Sequence, residues 1–489
     1  DLAPASSSRW ANACASLAIS SKPIPPTGEA APDLYAQFAT HNAHTAGAVL
    51  HLADETGVGR DRFEFQRLHG MGGGLYEQLV EEQGYRCRIY APVGGHRDLL
   101  AYLVRRLLEN GANSSFVHQL ADPGVTEDML LADPAERITA VGGSAHPSIA
   151  LPADLFQPER VNSAGIDLQD AATLEEVARD VRGFALPPAP ARADPADALA
   201  RAHAAARSWD AVPVDERAAC LERLADLLEA HRTELMALCV HEARKTLPDA
   251  LAEVREAVDF CRYYAARARQ DFAPVALPGP TGEHNELRLA GRGVFAAIAP
   301  WNFPLAIFLG QATAALAAGN SVVAKPAPQT PRIAARAVAL AHQAGIPADA
   351  LVLVPGAGDV GAALVGDRRV AGVAFTGSTA TARAIARSLL ADDARPIVPL
   401  IAETGGLNAM IVDSTALPEQ VVADVVTSAF RSAGQRCSAL RLLVLQEEIF
   451  DRTIGMLRGA MDTLIVGDAA DPATDVGPVI DRAAFERRT

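Results

Sequence analysis

Cys437 lies in Ser432-Ala-Gly-Gln-Arg-Cys437-Ser-Ala-Leu-Arg441, among small residues and just after the helix-like run Glu419 to Phe430. Glu403 sits 34 positions earlier in Ile401-Ala-Glu-Thr-Gly-Gly406, and Asn302 lies further back in Ala299-Pro-Trp-Asn-Phe-Pro304. These residue types supply a nucleophile, a general base and an oxyanion donor, the parts needed to oxidise an aldehyde through a thioester. Each has a bland alternative. A free cysteine is usually a small buried hydrophobe, Glu403 could be a solvated loop charge, and Asn302 could simply form a turn between two prolines. Three such motifs in one order outweigh those alternatives.

The chain that must position them has 489 residues, a mass of 51.3 kDa and a mean hydropathy of +0.09, enough for two or three domains with packed cores. A net charge of −15 argues against a nucleic-acid surface, which needs clustered cations. Only three lysines occur, Lys22, Lys245 and Lys325. The six cysteines form no CxxC pair and no regular spacing, as expected of a reduced cytoplasmic protein rather than a disulfide framework or zinc site. His41 and His44 stand three apart with no third ligand in view, so no metal is expected. No apolar run reaches the ~18 residues of a membrane span. The chain begins at Asp1 without an initiator methionine and stops without an evident ending, so it reads as a fragment and is expected to be catalytically silent by itself.

The expected fold class is α/β. Three strand-like runs, Tyr35 to Thr40, Phe63 to Leu68 and Arg88 to Pro92, alternate with helical patterns at Thr45 to Asp54, Leu75 to Gln83 and Asp98 to Glu109. Such units suggest the C-terminal part of a (β/α)8 barrel over residues 1–118, with its active site at the strand ends. Residues 119–196 read as a Pro- and Ala-rich connector. Asp197 to Phe272 is a long amphipathic helical region. Strand-like runs at Gly293 to Ala299, Ser321 to Ala324, Leu351 to Val354 and Val373 to Phe375 then alternate with helices at Ala306 to Ala318 and Ile333 to Ala344. That alternation predicts a doubly wound, Rossmann-like domain over 197–400, followed by a catalytic cysteine domain over 401–489.

The ordered phrases PWNFP, AKPAPQTP, FTGS, ETGG and GQRC, spread over residues 197–489, resemble the aldehyde dehydrogenase superfamily. The resemblance implies NAD as cofactor, with Pro300, Trp301, Lys325, Thr376, Gly377 and Ser378 along it, and Cys437, Glu403 and Asn302 as the catalytic set. Where the family pattern KPAEQTP carries an acidic residue beside the adenosine ribose, this chain has Pro328. Gly356-Ala-Gly-Asp-Val-Gly361 is a literal G-x-G-x-x-G after a strand, but the resemblance places the pyrophosphate at Phe375-Thr-Gly-Ser378 and the helix start that follows.

Arg105 and Arg106, adjacent on a helix, read either as a solvated face or as a clamp for a substrate carboxylate, for which guanidinium geometry is suited. The segments FATHNAHT, LHGMG, RIYAPVG and YLVRRLLENGANSSFV resemble the flavin-dependent proline dehydrogenase barrel. Joined to the aldehyde module, they resemble the bacterial proline utilization A family of bifunctional enzymes. That resemblance implies oxidation of L-proline to pyrroline-5-carboxylate with FAD, then of L-glutamate γ-semialdehyde to glutamate with NAD. It places Thr40, His41, Asn42 and Glu109 along FAD, Arg105, Arg106, Tyr90 and Leu68 at proline, and Ser438 and Phe303 at the semialdehyde. It also admits a quinone as electron acceptor, peripheral membrane association and a homo-oligomer. Two alternatives stay open: a general aldehyde dehydrogenase fused to an inactive barrel, and a further transcriptional role carried by an N-terminal DNA-binding segment.

Overall fold

Three parallel strands, β1 (Ala36–Ala39), β2 (Phe63–Leu68) and β3 (Cys87–Tyr90), pair in sequence order in the computed structural model. The structure describes residues 35–111, 118–119, 122–133, 138–140, 142–143 and 148–486. Helices Ala43–Glu55 and Gly73–Glu77, the latter prolonged by a π-helical turn at Gln78–Glu82, connect the strands, and His96–Gly111 follows β3. This is the strand–loop–helix order expected of barrel units. The β2 alternation sends Phe63 and Phe65 into a core with Val49, Tyr76 and Leu79. Their rings meet edge to face at 5.8 Å, the arrangement the ring quadrupoles favour. Glu64 lies between them and is held by Arg88 and Gln37, each at 2.7 Å.

Residues 1–149 and 150–489 form two compact units. In the second, the helical region begins as Pro195–Asp210, Val214–Ala230, Arg232–Ala243 and Leu247–Asp271. The expected single amphipathic run is broken by Pro213, by the left-handed Arg244 (φ 60°), and by Pro248 in the first turn of the last helix. A short antiparallel pair, β4 (Val275–Leu277) and β5 (Asn285–Leu287), precedes the main sheet.

That sheet contains β6 (Val294–Ile298), β7 (Ser321–Lys325), β8 (Leu351–Leu353), β9 (Val370–Gly377) and β10 (Leu400–Thr404), all parallel, in the order β10-β9-β6-β7-β8. Alternation along β6 sets the layers. Phe295 and Ala297 join the core with helices Val214–Ala230, Leu247–Asp271, Ala306–Ala317 and Pro331–Gln343. Val294, Ala296 and Ile298 face helices Pro195–Asp210, Gly358–Gly366 and Thr379–Leu390. A parallel pair, β11 (Asn408–Val412) and β12 (Leu440–Leu445), packs on helix Pro418–Phe430.

The segment expected as a connector contributes more than a link. Helix Ala171–Gly183 buries Val177, Ala178 and Val181 in the larger core of the second unit. Its alanine-rich composition hid an apolar stripe that only the facing helices give meaning to.

Candidate active site

Chain order puts β6, β7 and β8 on one side, then returns β9 to the other side of β6. A doubly wound sheet opens a crevice at such a reversal, beyond the carboxyl ends of its strands. A cavity of about 440 Å³ lies there. Ala299 to Asn302 reach it from the end of β6, Ala327 to Gln329 from β7, Phe375 to Ser378 from β9, and Thr404 and Gly405 from β10. Gln435, Arg436 and Cys437 close it from the loop before β12. The half-buried Cys437 thus shares a cavity with Asn302, 135 residues away in the sequence.

The Asn302 amide is fixed by donating one hydrogen to the Gln435 carbonyl at 2.9 Å, which leaves its second N–H hydrogen for the cavity. Gln435 is itself buried and accepts from the Ile480 amide at 3.0 Å. Asn408 pins the far side of the cysteine by donating to the Cys437 and Ala439 carbonyls at 2.7 and 3.0 Å.

Glu403 is not brought into this cavity. On β10 successive side chains face opposite ways, and Glu403 with Ile401 lines a separate cavity of about 500 Å³ among Phe260, Tyr264, Ile307 and Gln311. Phe303 does not line the cysteine cavity either. Its ring is flanked by Lys245 Nζ at 4.5 Å and the Arg436 guanidinium at 5.5 Å. Ser438 is exposed beside Cys437 and lies outside the cavity lining.

The residues expected along NAD converge. Pro300, Trp301, Lys325, Thr376, Gly377 and Ser378 all line the first cavity. Lys325 is buried, donates to the Pro326 carbonyl at 3.1 Å, and has its pKa lowered by burial. Gly377 lies under the Phe375 ring, where a Cβ would come within 2.5 Å of a ring carbon. Thr376 accepts from Gln311 at 2.9 Å. Ser378 caps helix Thr379–Leu390 by accepting from the Thr381 amide at 3.1 Å, so this helix presents its N-terminal dipole to the cavity.

In the first unit, Thr40, His41 and Asn42 follow β1, while Leu68 and Tyr90 end β2 and β3. His41 Nε2 accepts from the Leu68 amide at 3.1 Å, which requires the neutral imidazole with its proton on Nδ1. Burial lowers the His41 pKa, assisted by the charges of Arg106 and Arg67. Asn42 acts as a helix cap, accepting from the His44 and Thr45 amides at 2.9 and 3.3 Å. Arg105 is exposed, and the half-buried Arg106 lies over the Tyr102 ring at 5.1 Å. The Glu109 side chain lies outside the described residues.

An aldehyde dehydrogenase family model matches residues 182–489, which is more than half of the chain. The chain belongs to the aldehyde dehydrogenase family. A proline dehydrogenase family model matches residues 8–119 ahead of this aldehyde dehydrogenase segment. The bifunctional protein PutA of Klebsiella aerogenes is 49% identical over 93% of the chain, and that of Rhizobium meliloti 48% over 92%. The chain spans 37% and 38% of those two proteins. A crystal structure of a mutant Bradyrhizobium japonicum proline utilization A superposes with a TM-score of 0.84 at 57% identity, over 98% of this chain and 48% of that one. The 1-pyrroline-5-carboxylate dehydrogenase of Geobacillus thermodenitrificans is 35% identical over 59% of the chain and 57% of its own length.

Sequence reasoning missed part of this cleft. A second cavity of about 340 Å³ shares Lys325, Pro328 and Thr381 with the first, and is walled by Gly358, Gly361, Ala362, Val365 and Ile385. Two of these belong to the G-x-G-x-x-G phrase. These two glycines form a helix wall rather than a phosphate turn, a difference visible only once helix Gly358–Gly366 is placed on β6 and β9.

Proposed function

We propose that this chain belongs to a bifunctional proline-catabolic oxidoreductase and carries residues of both its active sites. The first oxidises L-proline to pyrroline-5-carboxylate with FAD, and the second oxidises L-glutamate γ-semialdehyde to glutamate with NAD. The observation that carries the aldehyde step is Cys437 and Asn302 in one cavity, at the reversal of strand order, contiguous through Lys325 with a second cavity.

The cleft fits a dinucleotide. Gly377 lines the cleft without a side chain, the capped helix end favours phosphate, and Lys325 offers a buried cation at the junction of the cavities. When bound, NAD accepts the hydride. The Cys437 thiolate forms a C–S bond to the aldehyde carbon, and the resulting oxyanion takes hydrogen bonds from the free Asn302 N–H and the Cys437 amide, each donor contributing about 3–4 kcal/mol. Loss of hydride converts the adduct to a thioester. Water then adds, the C–S bond breaks, and Cys437 leaves as the carboxylate forms. Glu403 is the proposed acceptor of the water proton. This requires its side chain to turn from the cavity it lines with Ile401 towards the cysteine cavity, which is lined by the two residues that follow it, Thr404 at the end of β10 and Gly405 just after.

For the proline step, Thr40, His41 and Asn42 would line FAD, which takes up the two electrons when bound, and Glu109 completes that set. Arg105, Arg106 and Tyr90 would hold proline, with Leu68 packing on it. A quinone as final acceptor, a peripheral membrane location, a cytoplasmic setting and a homo-oligomer belong to the same reading. Among the described residues no helix is long and apolar enough to cross a membrane. In the natural full-length protein, Cys437→Ala should abolish NADH formation from glutamate γ-semialdehyde and leave proline-dependent flavin reduction intact. Loss of both activities in a folded variant would refute two separate sites.

A further inference from the structure

The backbone leading into Cys437 is strained. Ser432 and Ala433 adopt φ 54° and 53°, the left-handed region that disfavours side chains, and Gly434 follows at φ 62°. Such a conformation persists only where surrounding contacts impose it. The contacts here converge on one buried carboxylate. Asp249, 2% exposed on helix Leu247–Asp271, accepts from the Ser432 amide at 2.9 Å and the Ser432 hydroxyl at 2.7 Å. It also pairs with Arg431 and Arg436, each at 2.7 Å, on either side of the strained residues. Burial would raise the Asp249 pKa, but Arg431, Arg436, the Ser432 hydrogen bond and Lys245 together hold it below its ordinary value. One helical turn along, Glu253 pairs with Lys245 at 3.3 Å and accepts from the Leu305 and Ala306 amides at 3.2 and 3.0 Å, just after Asn302. The same helix therefore grips both loops that meet at the cysteine cavity.

We propose that Asp249 is a positioning residue for the nucleophile. Its carboxylate holds Ser432 and Ala433 in the left-handed conformation and thereby sets where Cys437 stands relative to Asn302. The inference rests on the thioester reading of Cys437. Asp249 itself lines neither cavity; it reaches the first through Arg436 and the Ser432 backbone, so its effect passes through the loop.

The test measures the rate of Cys437 alkylation by iodoacetamide, followed at that peptide by mass spectrometry, together with NADH formation, in the natural full-length protein. Asp249→Asn should slow both by about ten- to hundredfold, because hydrogen bonds to a charged acceptor are lost. The KM for NAD should stay within about twofold, since the hydrogen bonds of Asp249 go to Arg431, Ser432 and Arg436 and to none of the residues placed along NAD. Adding Ser432→Gly should recover part of the lost rate, because glycine adopts the left-handed conformation without penalty. A merely structural role gives no such rescue. Ser432→Val, which leaves Asp249 paired with both arginines, carries the test if Asp249→Asn does not fold, and should slow alkylation in the same direction. Wild-type alkylation in Asp249→Asn or in Ser432→Val, or a double variant no faster than Asp249→Asn, overturns the proposal. A wild-type protein that forms no NADH from the semialdehyde, yet shows the predicted alkylation pattern, would overturn the functional reading and leave the positioning role standing.

Discussion

Replacing Asn302 by alanine removes two things at once, and they can be measured apart. The first is the oxyanion donor. One N–H hydrogen is committed to the Gln435 carbonyl at 2.9 Å, so the other is the only side-chain donor Asn302 can offer a developing oxyanion. Loss of one such donor costs about 3–4 kcal/mol in the transition state, so kcat for NADH formation should fall about 10²- to 10³-fold. The second is the tether on Gln435. Its carbonyl borders the cavity and can recruit water, so the stability loss should be only about 1 kcal/mol. The assay is steady-state NADH formation in the natural full-length protein, with Cys437 alkylation and thermal unfolding measured in parallel. Asn302→Ala should lower kcat, leave the KM for NAD near wild type, and leave alkylation nearly unchanged, because the donor serves the oxyanion and not the thiolate. A variant that retains most of its kcat would refute the oxyanion role. One whose alkylation falls as steeply as kcat would show that Asn302 acts by holding the loop.

Arg106→Met should raise the KM for proline about ten- to hundredfold, since a hydrogen bond to a charged partner contributes ~1.5–3 kcal/mol; an unchanged KM returns Arg106 to a structural role on its helix. Pro328, which lines both cavities, stands where an acidic residue usually discriminates against NADP. NAD should remain preferred, and Pro328→Glu should widen the ratio of kcat/KM for NAD over NADP; equal efficiencies in the parent protein would overturn the NAD assignment. His41 should titrate below 6.5 in ¹H–¹⁵N spectra, with Nδ1 protonated at neutral pH. Because its folded pKa is lowered, the unfolded chain binds the extra proton first. His41 should therefore destabilise the first unit as pH falls from above 6.5 towards the folded value, and His41→Gln should flatten that slope in pH-dependent unfolding.

Much of this protein was legible before any coordinates. Periodicity located the alternating strand at Phe63, the buried apolar strand at Ser321 and the helix at Ala306. Residue chemistry singled out Cys437 and Asn302, because nucleophiles and amide donors have functions that do not depend on where the chain goes, and the family resemblance added Lys325. What chain order could not convey was adjacency across the sheet. β9 returns beside β6 and so opens the crevice that Asn302 and Cys437 share, while the pleat of β10 turns Glu403 the other way. Asp249 drew no attention as one acid on an amphipathic helix; its 2% exposure and its contacts with Ser432, Arg431 and Arg436 exist only when segments more than 180 residues apart are packed together. Likewise the G-x-G-x-x-G glycines became a cavity wall because helix packing, not the local turn, decided which surface they formed. Local patterns set which residues are apolar, helical or reactive, whereas burial and long-range pairing set which of them meet.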